Sequence, residues 1–143
     1  VAGPTGPFEE LSGNATRMCG RTAAGTVTCW GNGIAPTTVP GLSNVTQITS
    51  TATNHCALIN DGTVQCFPAN NTLTTLSGFT GVTALAKGAA STHFCAIITG
   101  GTVSCMGTNT YGELGSGFAD SAVAVSVPGL TNVTKITKGS NFT

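Results

Sequence analysis

The sequence predicts an all-β chain of three repeated antiparallel sheets, each stapled by a disulfide inside a hairpin. Three observations carry this. A unit bounded by cysteines ten positions apart is written three times, at Cys19–Cys29, Cys56–Cys66 and Cys95–Cys105, always with Gly-Thr-Val after the turn. Short alternating runs separated by Gly and Pro fill the rest, and no helical period appears. The hairpins are apolar on both sides: Cys56, Leu58, Val64 and Cys66 on one, Ala57, Ile59 and Phe67 on the other. A sheet apolar on both faces is sandwiched between neighbours, as propeller blades or stacked solenoid sheets are.

The hairpin turns read as three residues ending in Gly: Ala23-Ala24-Gly25, Asn60-Asp61-Gly62 and Thr99-Gly100-Gly101. Such a loop ends in a left-handed residue, which Gly supplies without steric cost. The register then sets Thr22 against Thr26 and Cys19 directly against Cys29. Counted outward from the turn, the cysteines form a non-hydrogen-bonded pair, where Cα atoms are closest. That separation is near the short end of the disulfide range. The predicted pairs are Cys19–Cys29, Cys56–Cys66 and Cys95–Cys105, one of the 15 connectivities that six cysteines allow. Zinc is disfavoured, because no Cys-x-x-Cys occurs and both histidines stand beside cysteines that already have partners.

A second block also recurs: Gly41–Thr49, Gly78–Ala86 and Gly129–Thr137. It begins 12 residues after the second cysteine in the first two repeats and 24 after it in the third, so the third carries an excess around 108–119. Further short strands are expected at Pro36–Pro40, Thr72–Leu76 and Ala122–Val127. Phe8–Ser12 matches the strand Val45–Thr49, and the chain ends on another copy, Val133–Thr137. It therefore holds three repeats, approximately 14–50, 51–90 and 91–143, plus one surplus strand. These make one domain, 8–143, preceded by a tail, 1–7, of linker composition that is either flexible or engages a partner.

Only ten of 143 residues are charged, five of each sign, against an ordinary share of about a quarter. The polar surface is instead 26 Thr and 10 Ser. A chain so poor in charge is expected to be kept in solution by glycans or buried in an assembly. No basic patch points to nucleic acid, and no apolar run reaches the length of a membrane span. Paired cysteines imply an oxidising compartment. The expectation is an extracellular chain, secreted or at the cell surface, whose leader has been removed.

The segment His93-Phe94-Cys95-Ala96 followed by Gly101-Thr102-Val103-Ser104-Cys105-Met106-Gly107 and Tyr111-Gly112-Glu113-Leu114-Gly115 resembles a repeat of the regulator-of-chromosome-condensation family, in the cysteine-bearing version of secreted bacterial members. The resemblance covers most of 8–143. It thins in the first repeat, which keeps Cys29-Trp30-Gly31 but lacks Gly-x-Leu-Gly, and in the second, where Cys66-Phe67-Pro68 stands for Cys-Trp-Gly. The family forms seven-bladed β-propellers, so the resemblance implies a fold and not an activity. Three blades cannot close such a ring; the expected architecture is an incomplete or non-closing propeller with two open sheet ends. Three escapes follow: a fragment of a longer propeller, head-to-tail joining of copies, or closure with the first and last strands in one sheet.

Candidate chemistry is sparse. Five Asn-x-Thr sequons, at Asn14, Asn44, Asn70, Asn132 and Asn141, are glycosylation candidates. Asn44 and Asn132 share a repeat position with Gly81, which also suits a turn that needs a left-handed residue. His55 and His93 join no nucleophile–base set, the carboxylates form no pair, and Gly112–Gly117 opens no helix. No catalytic residue, metal site or cofactor is predicted. The aromatics Trp30, Phe67, Phe79, Phe94 and Tyr111 read as inter-sheet core. The expected function is that of a non-enzymatic extracellular structural glycoprotein that self-assembles head to tail, as a filament or surface layer. Copies would meet through the terminal strands, with Phe8, Leu11, Val133 and Ile136 as the assembly candidates, and glycans are a further class of partner. The alternative is a protein- or glycan-binding module of a larger secreted propeller, contacting its ligand through 108–119. Nucleotide exchange, the activity of the family's namesake, fits neither the blade count, nor the charge, nor the compartment.

Overall fold

The computed structural model describes residues 3–88 and 90–143; Val1 and Ala2 of the expected tail and Ala89 of the second repeat lie outside the described residues. There is no helix among them. The strands are β1 (Glu10–Gly13), β2 (Met18–Arg21), β3 (Val27–Gly31), β4 (Ile34–Thr38), β5 (Val45–Ser50), β6 (His55–Ile59), β7 (Val64–Phe67) and β8 (Thr74–Thr75). They continue as β9 (Val82–Leu85), β10 (Lys87–Gly88), β11 (His93–Ile98), β12 (Thr102–Gly107), β13 (Ser121–Ser126) and β14 (Thr137–Lys138). Three four-stranded antiparallel sheets result, in the orders β1-β2-β3-β4, β5-β6-β7-β8 and β9-β11-β12-β13. β10 and β14 form a short parallel pair. The first and last strands share no sheet, so the stack is not closed.

The hairpins form in the expected register. Cys19 faces Cys29, Cys56 faces Cys66 and Cys95 faces Cys105. All three pairs are disulfide-bonded, with Cα atoms 4.0–4.1 Å apart. The turn glycines Gly25, Gly62 and Gly101 have φ of 75°, 83° and 75°. Their second role is not local. Each turn lies under the loop that opens the next sheet, and Val45, Val82 and Val133 donate their N–H to the carbonyls of Gly25, Gly62 and Gly101 at 2.9–3.1 Å. A Cβ on Gly25 would stand 2.9 Å from Val45 N, so glycine is required there by φ and by backbone approach together.

At each contact one face of a sheet meets one face of the next, and the second sheet packs on both sides. The cystine Cys19–Cys29, Val27 and Val39 on the first sheet meet Leu42, Val45, Ile48, Ala57 and Phe67 on the second. Cys56, Leu58, Val64 and Cys66 on the second meet Phe79, Val82, Leu85, Phe94 and Ala96 on the third. Each sheet thus has a cystine face that looks forward along the chain and an aromatic or aliphatic face that looks back. Phe79 and Phe94 sit edge to face, centroids 5.0 Å apart.

Candidate functional site

The first strands of the three sheets, β1, β5 and β9 (the inner strands), carry a polar link from sheet to sheet. Glu10 Oε2 accepts from Ile48 N, and one repeat later Gln47 Oε1 accepts from Leu85 N, each at 3.0 Å. The next residue in this series is Ala84, which has no acceptor to offer Ile136. The last is Lys135. Glu10 also receives Arg21 Nε at 3.3 Å and the ammonium of Lys87. It therefore ties the first sheet to the β10–β14 pair as well as to the second sheet. Ala84→Gln is expected to extend the series by one bond and stabilise the chain by about 1 kcal/mol. The unfolding midpoint and the exchange rate of the Ile136 amide would report it; an unchanged amide would refute the assignment.

A buried polar group lies at one end of these strands. Ser12 Oγ, Ser50 Oγ and His55 Nδ1 form a chain of contacts of 2.7 and 2.8 Å. Lys138 is buried, and its ammonium donates to Ser50 O at 2.7 Å and Ser91 Oγ at 3.0 Å. Burial lowers its pKa from 10.5 to about 8. His93 Nε2 lies 2.8 Å from Thr143 Oγ1. Burial, and then the Lys138 charge, hold His93 below its ordinary value. Arg17 donates to Pro68 O, Ala69 O and Asn71 Oδ1, tying the β1–β2 turn to the second sheet. These groups join sheets; they assemble no nucleophile, base and orienter. Among the described residues no cluster of three His, Cys, Asp or Glu could hold a metal ion.

The two ends of the stack are unlike its interior. On the first sheet the backward face is open: Leu11 is 59 % exposed, and Met18 is also at the surface. Phe8 lies over Gly20 and stacks on Trp30, centroids 5.5 Å apart, making a half-buried aromatic ledge. These residues occupy the repeat positions of Val45 (Phe8), Ile48 (Leu11), His55 (Met18) and Phe67 (Trp30), all buried on the second sheet. On the third sheet the forward face, Cys95–Cys105 and Val103, is partly covered by Leu114, Val133 and Ile136. A slot of about 300 Å³ remains beneath the C-terminal segment, lined chiefly by Val103, Leu114, Val127, Leu130, Val133 and Ile136.

Of the four assembly candidates, Phe8 and Leu11 thus lie on the backward face of the first sheet, whereas Val133 and Ile136 are half-buried and cover part of the forward face of the third. The sequons are spread over the surface. Asn44, Asn70, Asn132 and Asn141 are exposed; Asn14 is half-buried, its Oδ1 accepting from Thr16 N, Thr16 Oγ1 and Arg17 N. Asn44, Gly81 and Asn132 share φ of 56–64°, so that turn does require a left-handed residue. The segment 108–119 is braced from within: Asn109 is fully buried and bonds Gly117 O, Ala119 O and Leu114 N. Tyr111 was expected in the core and is instead 68 % exposed at its rim, because Leu114 takes the inward position.

The three sheets have the fold of β-propeller blades and are similar to those of solved propellers of the RCC1 type. Yeast RCC1 (Prp20) in its crystal structure bound to Kap60 superposes with a TM-score of 0.77 at 16 % identity, over 96 % of this chain and 42 % of that one. Prp20p from Saccharomyces cerevisiae, in a structure that addresses its binding to Gsp1p and histones, gives 0.73 at 18 %, over 96 % and 43 %. Human WBSCR16 gives 0.69 at 18 %, over 84 % and 39 %. The chain spans less than half the length of each. No protein-family model and no curated protein sequence matches it.

Proposed function

We propose that this chain is a non-enzymatic, extracellular structural subunit that binds copies of itself through the outer faces of its first and third blades. One observation carries the reading: the backward face of the first blade is open, and the forward face of the third is covered only in part, by Leu114, Val133 and Ile136, so the contact that the chain makes twice internally is incomplete at both. A heterologous contact between them does not close on two copies and propagates instead. The scarcity of charge supports a chain whose surface is covered in an assembly. Three disulfides support an oxidising, extracellular setting. The exposed sequons and the Thr-rich surface support attached glycans, which a mass shift on enzymatic removal of N-linked sugars would register.

The test is self-association. Purified chain is expected to elute progressively earlier in sizing as concentration rises, and to give elongated particles by electron microscopy. A monomer at every concentration, seen only as isolated particles, would end the reading. A second reading is a binding module of a longer propeller. It is favoured by the share of the known propellers that the chain spans and by the exposed Tyr111 and Phe118 on the braced segment 108–119. By analogy with the yeast propeller, its ligand would be another protein.

A further inference from the structure

The three cystines stand at one repeat position, yet they are covered unequally. Cys19 and Cys29 are wholly buried under the second blade, and Cys95 and Cys105 are buried under Leu114, Val133 and Ile136. Cys66 is 7 % exposed, the most of the six. With Cys56, Asn54, Leu76, Phe94 and Met106 it walls a cleft of about 270 Å³ between the second and third blades. The exposed Thr53 and Thr92 also line this cleft, so it opens to solvent. All four strands of both blades are present, so the cleft is not an end face.

Two differences between repeats account for it. Arg17, Asn54 and His93 each stand two residues before the first cysteine of a hairpin. Arg17 is buried and spans the first contact to Pro68 O, Ala69 O and Asn71 Oδ1. His93 reaches Thr143 Oγ1. Asn54 is shorter, and among the described residues it is hydrogen-bonded through its backbone alone, to Thr51. The residue after the second cysteine also changes. Phe67 is fully buried against Cys19–Cys29, whereas the unbranched Met106, half-buried, faces Cys56–Cys66. The cover that the first cystine has is thus missing from the second.

We infer that Cys56–Cys66 is a site of thiol–disulfide exchange, opened by a small thiol that enters the cleft while the other two cystines stay closed. The thiolate attacks Sγ of Cys66, the more accessible sulfur, and bonds to it. The Cys56–Cys66 bond breaks, and Cys56 leaves as a thiolate that takes up a proton. A second thiolate attacks the sulfur of the bound thiol, which leaves as its disulfide and frees Cys66. Two electrons pass from two thiols to the cystine. The exchange unstaples β6 from β7 in the contact that joins the second blade to the third.

The folded chain is treated with 2-mercaptoethanol at neutral pH without denaturant, free thiols are alkylated at intervals, and labelled peptides are measured by mass spectrometry. Cys56 and Cys66 are expected to label at an initial rate about tenfold above the other four, with the early mercaptoethanol adduct on Cys66. Equal rates at all three cystines, or another cystine opening first, would overturn the site; an adduct on Cys56 would overturn the attacked sulfur. Asn54→Arg and Met106→Phe, made separately, put back the residue types that cover the first cystine. Each is expected to slow Cys56–Cys66 alone, by about threefold or more. An unchanged rate in both would rule out the cleft as the route. If a variant unfolds, seen as faster labelling at all three cystines, the order in the unmodified chain still decides.

Discussion

Phe67→Ala is expected to cost about 3–5 kcal/mol, a large part of the stability of a domain this size. Phe67 is fully buried where the second blade meets the cystine face of the first. Its ring also stacks on His55, centroids 5.8 Å apart. Truncation opens a cavity that the surrounding strands cannot close, because β6 and β7 are cross-linked by Cys56–Cys66 and fixed in register. Denaturant unfolding measures the loss. Phe118→Ala is the control: that ring is 83 % exposed, and its removal is expected to change stability by no more than about 0.5 kcal/mol. Equal effects from the two variants would show that the inter-blade contact carries little of the stability.

That contrast marks what could be read from the sequence. The disulfide hairpins were legible because every determinant is local: a turn Gly, an alternating flank, and cysteines placed opposite each other by the register. The cores between blades were legible in kind, since both hairpin faces are apolar. The polar links were not. Glu10 reads in the sequence as an isolated carboxylate, and only the stacking of inner strands brings Ile48, Arg21 and Lys87 to it. Lys138 looks like a surface residue near the end of the chain, yet its stem is buried and its ammonium bonds the second and third blades. Tyr111 and Leu114 are three residues apart in a segment with no period. Which of them turns inward is decided by the Asn109 bonds, and no pattern announces those. The open faces were legible as strands without partners; the shape of the slot was not, because it arises from segments far apart in the chain.

Acid is expected to loosen the stack well before ordinary carboxylates titrate. Burial, and then the nearby positive charge of Arg17, lower the pKa of His55 from 6.5 to about 4. Its Nδ1 is engaged with Ser50 Oγ and its Nε2 is buried without a hydrogen-bond partner, so a second ring proton would have no acceptor. The unfolded chain takes up that proton near pH 6.5, whereas the folded chain resists it down to about 4. Between those values the unfolded state binds more protons, so stability is fully present above pH 6.5 and falls as pH drops toward 4. The loss from His55 is about 2–3 kcal/mol. His93, lowered by burial and by Lys138, acts in the same direction. Lys138 works at the other end of the scale: with a folded value of about 8 against 10.5, it adds stability as pH rises between the two. Urea midpoints taken from pH 7 to 4 would trace the acid limb. His55→Phe places there the residue that the third repeat has at Phe94, and it should flatten most of the slope. Parallel acid losses in the variant and the unmodified chain would remove His55 as the cause.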